Sequence, residues 1–354
     1  MAPLSLPAQE ELATYAELSA ADPLAAYREY PQREAIRLRE VVAEFLNAHA
    51  DELAIVDSTS RGNNMAAQML EAPPGGNVVV DSTTYPSALL PWLLREDANL
   101  EIRRVSERNG LPATEDLAAL VDDKTIALSI SHVCRKTGLR HDLRSLAKLA
   151  HAHGALLLVD GAQSVGAVHV DVQGDGVDLM SFGAMKWLLG TPGVAFLYVR
   201  RSLIDRLRPA QAGPAGVRVT DEELEFEAGA QRYELSSGNW GGLGASRRSA
   251  ELLASVPRTD VERRVLDLSG RLIDGLRERD LVVFTPCDPA RRAGIVAFRH
   301  ERAGELQRHL REEAVDVWAW ESQELVRADP HVYNSDSDLD HFFAALDLLG
   351  AVVV

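Results

Sequence analysis

Cysteine is nearly missing from this chain of 354 residues: Cys134 and Cys287 are its only two. They lie too far apart for a zinc spacing, and two thiols cannot staple a chain this long, so neither a metal site nor a disulfide framework is expected. Lysine is also sparse. Lys124, Lys136, Lys148 and Lys186 are four of the 37 basic residues, and arginine supplies the rest. Under such a bias toward arginine, each retained lysine becomes a candidate for chemistry. No uninterrupted apolar run approaches the roughly 18 residues of a membrane span. The opening MAPLSLPAQEELATYAEL has neither a basic start nor an apolar core, so no signal peptide is expected and the cytoplasm is the expected compartment. A formal net charge of -16 argues against a nucleic-acid partner held through its phosphates. No G-x-G-x-x-G follows the first strand-like run, which argues against a nicotinamide enzyme.

What is present is a regular alternation. Short apolar runs at 53–56, 78–80, 125–130, 155–159 and 194–199 are bounded by Gly, Asp, Ser or Pro. Between them lie helical patterns at 63–70, 87–95, 115–120 and 143–152, the last opened by Asp142 as N-cap and closed by Gly154. Strands alternating with helices predict an α/β fold with a mostly parallel central sheet covered on both faces. The pattern breaks into Pro, Gly, Ala and Arg at 208–220, and into Gly and Ser at 236–244. Helical patterns at 245–254, 261–276, 306–313 and 339–349, with strand-like pieces at 281–284 and 294–298, predict a smaller α+β domain. The expected division is an N-terminal segment (1–30), a large domain (31–245) and a small C-terminal domain (246–354).

Chemistry concentrates between residues 155 and 199. A buried-type strand ends at Asp160, followed by Gly161, Ala162 and Gln163. Ligands of open α/β sheets bind at the carboxyl ends of strands, so Asp160 stands where a cofactor would sit. A carboxylate there either opens a turn before Gly161 or keeps a pyridinium nitrogen protonated. Lys186 follows the apolar run 177–182 and sits between Met185 and Trp187, an apolar setting that lowers an amine's pKa and frees it to attack an aldehyde. The alternative is a lysine snorkelling from an apolar edge. Lys136 is the only rival, and it lacks both this setting and the spacing from D-G-A-Q.

A strand ending in D-G-A-Q, then Lys186 some 25 residues on in a turn rich in Trp, Gly and Pro, then another strand, resembles the class V aminotransferase family of fold-type I pyridoxal-phosphate (PLP) enzymes. Cysteine desulfurases, selenocysteine lyases and isopenicillin N epimerase-like proteins belong to that family. The resemblance spans about residues 35 to 350. It implies PLP as cofactor, Lys186 as the Schiff-base lysine, Asp160 as the partner of the pyridine nitrogen and Gln163 as the partner of the ring hydroxyl. It implies Ser58, Thr59 and Ser60 as a phosphate loop opening a helix, where N–H groups and the helix dipole favour an anion. Tyr85 matches an aromatic residue stacked on the ring. Arg327, in V-R-A-D-P-H-V-Y-N, matches an arginine that grips the substrate's α-carboxylate. Ser237, in S-S-G-N, matches a residue reaching the neighbouring subunit's phosphate, which implies a homodimer with shared active sites.

Several positions depart from the family pattern. Met185 stands where relatives carry His before the lysine, and Gly183 where they often carry Ser; Ser181 is the candidate replacement in the phosphate grip. Arg135 replaces an Asn near the ring hydroxyl and would bring a cation to that oxygen. The stretch 311–326 holds no cysteine, which argues against a persulfide-forming desulfurase, and instead offers Trp318, Trp320 and Glu321. The expected function is α-carbanion chemistry on an amino acid, with transamination first. A β-eliminating C–S lyase, an epimerase of the same family and a PLP-binding homologue that no longer catalyses are the alternatives.

Overall fold

The computed structural model describes residues 2–81, 84–95, 100–105, 114–220, 223–236 and 238–351, without the side chains of 114, 115, 350 and 351. Seven strands form the central sheet: β1 (Leu53–Val56), β2 (Asn77–Asp81), β3 (Glu101–Val105), β4 (Thr125–Ser131), β5 (Leu156–Asp160), β6 (Leu179–Gly183) and β7 (Ala195–Val199). Their order across the sheet is β1-β7-β6-β5-β4-β2-β3. Neighbours from β6 to β3 run parallel, while β7 pairs antiparallel with both β6 and β1. The fold is therefore α/β with a mostly parallel sheet.

Strand alternation sorts the apolar residues onto two faces. Leu157, Val159, Met180, Phe182, Phe196 and Tyr198 belong to one core, alongside Leu38 and Val42 of the helix Pro23–Leu46. Leu158, Leu179, Leu197, Val199, Val78 and Val80 belong to the other, with Met65 and Trp92 from the helices Thr59–Met69 and Pro86–Leu93. A sheet buried on both sides explains why these strands read as continuous apolar runs.

The helix Pro23–Leu46 runs through the expected boundary at residue 30, and the helix Trp240–Ala254 runs through the one at 245. A hairpin, β8 (Val217–Thr220) with β9 (Glu223–Phe226), occupies part of the stretch expected to be loop. A separate hydrophobic core gathers Leu268, Leu272, Leu276, Phe298, Leu306, Val326 and Phe342. It packs around a small antiparallel sheet of β10 (Val296–Arg299), β11 (Trp318–Trp320) and β12 (Leu325–Ala328), ordered β10-β12-β11. The expected strand at 281–284 is reduced to one bridge, Val283 to Phe298. The helix Arg258–Arg277 joins the two units: Val261 lies in the first core, and Leu268 to Leu276 lie in the separate one.

Candidate active site

The carboxyl ends of the parallel strands converge with the start of the reversed strand β7. In register, Ser131 pairs with Asp160 and Asp160 with Ser181, so three strand ends stand side by side. A cavity of about 320 Å³ opens there, within the roughly 300–1,000 Å³ of small-molecule sites. Its wall includes Ser58, Thr59, Ser60, Tyr85, Arg135, Asp160, Gln163 and Lys186, so eight of the expected site residues meet in one place.

Backbone bonds fix Asp160 and Lys186. The carbonyl of Asp160 accepts from the His132 N–H at 3.0 Å, and the Gly161 N–H donates to Ser181 O at 2.9 Å. The Asp160 carboxylate accepts the Ala162 N–H at 2.9 Å. Burial pushes its pKa up, against the pull of that N–H, of Lys186 and of Asn63. Lys186 sits in a turn closed by Gly190 N–H to Ala184 O at 2.8 Å and tied to the helix Trp240–Ala254 through Ser249 Oγ to Leu189 O at 2.7 Å. Gly166, at φ +94°, lets its own loop lie against this turn; a Cβ there would meet Trp187 O at 2.5 Å. Burial pushes the Lys186 amine down; Asp160 opposes the shift, while Arg327 and Arg135 add to it. A carboxylate with raised pKa and an amine with lowered pKa on one cavity are suited to accept a ring N–H and to attack an aldehyde, which is the pairing that PLP requires. Lys136 instead donates to Gln323 at 3.3 Å in an exposed position and is not part of this wall.

The remaining expected residues are held by specific partners. Gln163 Oε1 accepts from Trp187 Nε1 at 3.0 Å, which leaves its NH₂ group to donate into the cavity. Tyr85 precedes the helix Pro86–Leu93, and the Lys186 Nζ lies 5.8 Å from its ring centroid. Arg135 is sandwiched between the rings of Tyr85 and Trp320, at 5.2 and 5.5 Å. Ser58 acts as N-cap, accepting from the Arg61 N–H at 3.1 Å and donating to Asp57 at 2.8 Å. Its hydroxyl is therefore occupied, while Thr59 and Ser60 border the cavity at the helix start.

Two expectations need correction or fall away. Ser181 does not border this cavity: its Oγ donates to Thr59 O at 3.1 Å, and it packs against Gly62 of the same helix, behind the wall. It supports the start of the helix Thr59–Met69 from behind instead of facing the cavity. Ser237 lies outside the described residues. Gly183, two residues along the same strand face, borders the cavity and lies close against Thr59, whose Oγ1 would stand 3.2 Å from a Cβ there.

Arg327 approaches from β12. Its Nη1 donates to Arg135 O at 2.8 Å, its Nη2 pairs with Asp329 at 2.6 Å, and its Cζ lies 5.8 Å from the Trp320 ring centroid. A second hollow of about 90 Å³, lined by Ala2, Gln163, Lys186, Trp187, Arg327, Asp329, His331 and Tyr333, links it to the lysine. His331 is stacked between Trp187 and Tyr333, each 4.7 Å away centroid to centroid. Burial lowers its pKa to about 4, so the ring is neutral at pH 7. Asn63, Asp57 and Asp329 are site residues that sequence reasoning passed over. Asp329 had a usable signal, because it stands two residues after Arg327 at the end of a short strand.

Among the described residues no helix is long and apolar enough to cross a membrane, and no cluster of His, Cys, Asp and Glu is arranged to hold a metal. Comparison with known proteins agrees with the fold. The chain is 28% identical over 316 residues to the uncharacterized aminotransferase YcbU of Bacillus subtilis, covering 89% of this chain and 83% of that one. It is 28% identical over 332 residues to a probable cysteine desulfurase of Pyrococcus abyssi, covering 88% and 82%. Among solved structures, the cystine C–S lyase C-DES in complex with cysteine persulfide superposes with a TM-score of 0.89 at 21% identity, over 97% of this chain and 94% of that one. The apo cysteine desulfurase of Thermococcus onnurineus superposes with a TM-score of 0.86 at 23% identity, over 98% and 92%. The family model for aminotransferase class-V matches residues 18–339. That match leaves only the two ends outside it, and the chain belongs to the aminotransferase class-V family of PLP-dependent enzymes.

Proposed function

We propose that this protein is a transaminase of amino acids, with Lys186 as the attachment point of PLP and as the proton carrier. The observation that carries the reading is the common cavity of a desolvated amine, Lys186, and a desolvated acid, Asp160. Bound PLP supplies an electron sink for the pair left when a bond to the substrate α-carbon breaks. Asp160 keeps a proton on the ring nitrogen, and its burial strengthens that ion pair. Gln163, with its carbonyl oxygen taken by Trp187, would offer its NH₂ to the ring hydroxyl, and Arg135 on the same cavity would add a cation. Tyr85 offers a ring face. Thr59, Ser60 and the N–H groups opening the helix Thr59–Met69 receive the phosphate. Arg327 orients the substrate carboxylate. Lys186 Nζ is the base placed to take the substrate's α-proton and to hold it within the cavity for return.

β-Elimination is the second reading, favoured by relatives named as cysteine desulfurases. Persulfide formation on an enzyme thiol is disfavoured, because Cys134 is fully buried and neither cysteine borders the cavity. The same reading includes a homodimer in which Ser237 serves the neighbour's phosphate, checked by sedimentation velocity. The deciding experiment follows visible absorbance of the PLP-loaded protein across a panel of amino acids. Transamination converts the spectrum to that of pyridoxamine phosphate and releases a 2-oxo acid; elimination releases pyruvate and sulfide and leaves the cofactor spectrum in place. Protein that stays colourless with PLP and takes no label with borohydride would sink both readings.

A further inference from the structure

Arg327 is not a free fork. One of its terminal nitrogens is committed to a backbone carbonyl and the other to Asp329, and its Nε is buried without a hydrogen-bond partner. A carboxylate ligand that approaches this arginine therefore meets a carboxylate already in place. Two anions on one guanidinium repel each other unless a further cation sits between them. Asp329 keeps 33% of its side-chain surface, and that surface faces the hollow shared with Lys186, Gln163 and Tyr333. Partial burial, the largest influence, raises its pKa against the pull of Arg327 and, further off, of Lys186.

We propose that Arg327 and Asp329 form a paired seat for a zwitterion, Arg327 taking the α-carboxylate and Asp329 the α-ammonium group. The proposal rests on the reading of an amino-acid site given above and adds the residue that recognises the nitrogen. A charged donor next to a charged acceptor, both within one small hollow, is matched by a ligand that carries the two opposite charges one carbon apart. Asp329 then acts as a filter. It penalises plain carboxylates, which offer no cation to relieve it, and it admits amino acids, which do. The amine is brought into the hollow that Lys186 lines, where its nitrogen must arrive before any chemistry begins.

The test uses two probes with one carbon skeleton, 2-aminoisobutyrate and isobutyrate. The first is a zwitterion with no α-proton to lose and the second lacks the amine. Protein loaded with PLP is treated with borohydride, so that no aldehyde remains to react, and each probe is titrated by calorimetry. The wild-type protein is expected to bind 2-aminoisobutyrate at least about tenfold tighter than isobutyrate. In Asp329→Asn the two affinities are expected to converge, isobutyrate gaining several-fold and 2-aminoisobutyrate losing as much. Asp329→Ser removes the same charge and gives the same reading if the Asn variant does not fold, while Asp329→Glu should keep most of the preference. An absent preference in the wild type, an unchanged ratio in Asp329→Asn, or a parallel loss of both probes would overturn the seat; the last would mean that Asp329 only props Arg327. Mass spectrometry of the same samples shows whether Lys186 carries the reduced cofactor. A missing label there counts against the PLP reading alone, since the titration can still be interpreted on unlabelled protein.

Discussion

The floor and the roof of the cavity are built on different principles. The floor, with Asp160 and the turn of Lys186, hangs on main-chain hydrogen bonds between parallel strand ends and on side chains buried in both cores. The roof, with Arg135, Trp320, Arg327 and Asp329, is a ladder of cations, rings and one carboxylate that touch mostly through side chains, with one bond from Arg327 to the Arg135 carbonyl. Main-chain geometry holds Asp160 and Lys186 in place and tolerates little change. A side-chain ladder can be re-spelled residue by residue, which makes it the natural place for substrate choice.

Substitutions can sharpen or break this contrast. The largest effect is expected at the floor: Lys186→Ala should abolish borohydride labelling by PLP and lower turnover by roughly 10²–10⁴-fold, read by mass spectrometry and by product release. Trp187 joins floor to roof through Gln163 and His331 and is 4% exposed. Trp187→Ala should cost about 3–5 kcal/mol in urea unfolding. If it costs less than about 1 kcal/mol, floor and roof are not coupled through this ring. His331 gives a pH signature. Its folded pKa of about 4 lies below the ordinary 6.5, so between these values the unfolded chain binds a proton that the folded ring refuses. Stability is therefore fully present above pH 6.5 and declines as pH falls toward 4, by up to about 3 kcal/mol for this group. His331→Phe keeps a ring in the stack and should flatten that decline in denaturant titrations at successive pH values. Lys136→Ala should be nearly silent, within about 0.5 kcal/mol in stability and with labelling intact. Loss of label there would move the attachment point and undo the contrast altogether.

Legibility followed the same division. β1, β4 and the helix Leu143–Ala152 could be read from apolar runs and caps, because a strand buried on both faces leaves few polar interruptions. Asp160 and Lys186 stood out for the same reason, as polar residues at the ends of such runs. The strand β3, Glu-Ile-Arg-Arg-Val, was not legible: it is the edge of the sheet, and exposure lets its residues be polar. The strands β11 and β12 were not legible either: Trp-Ala-Trp is three residues long, and Arg327 interrupts the apolar run of Leu-Val-Arg-Ala. Ser181 misled because it shares a strand face with Gly183; that face turns toward the helix Thr59–Met69, and only the last residue reaches its open end. Asp329 could be flagged by its place two residues after Arg327, but its pairing could not, because hydrogen-bond occupancy is not written in residue order.

The helix Arg258–Arg277 has its early residues seated in one core and its later ones in the other, and Glu262 near its start pairs with Arg140 at 2.6 Å. It works as a girder whose phase sets the height of the ceiling over the lysine. A helix advances about 1.5 Å and turns about 100° per residue. One residue added between Val265 and Leu268 would thus turn the later half of this helix, and the small sheet packed on it, relative to the first core.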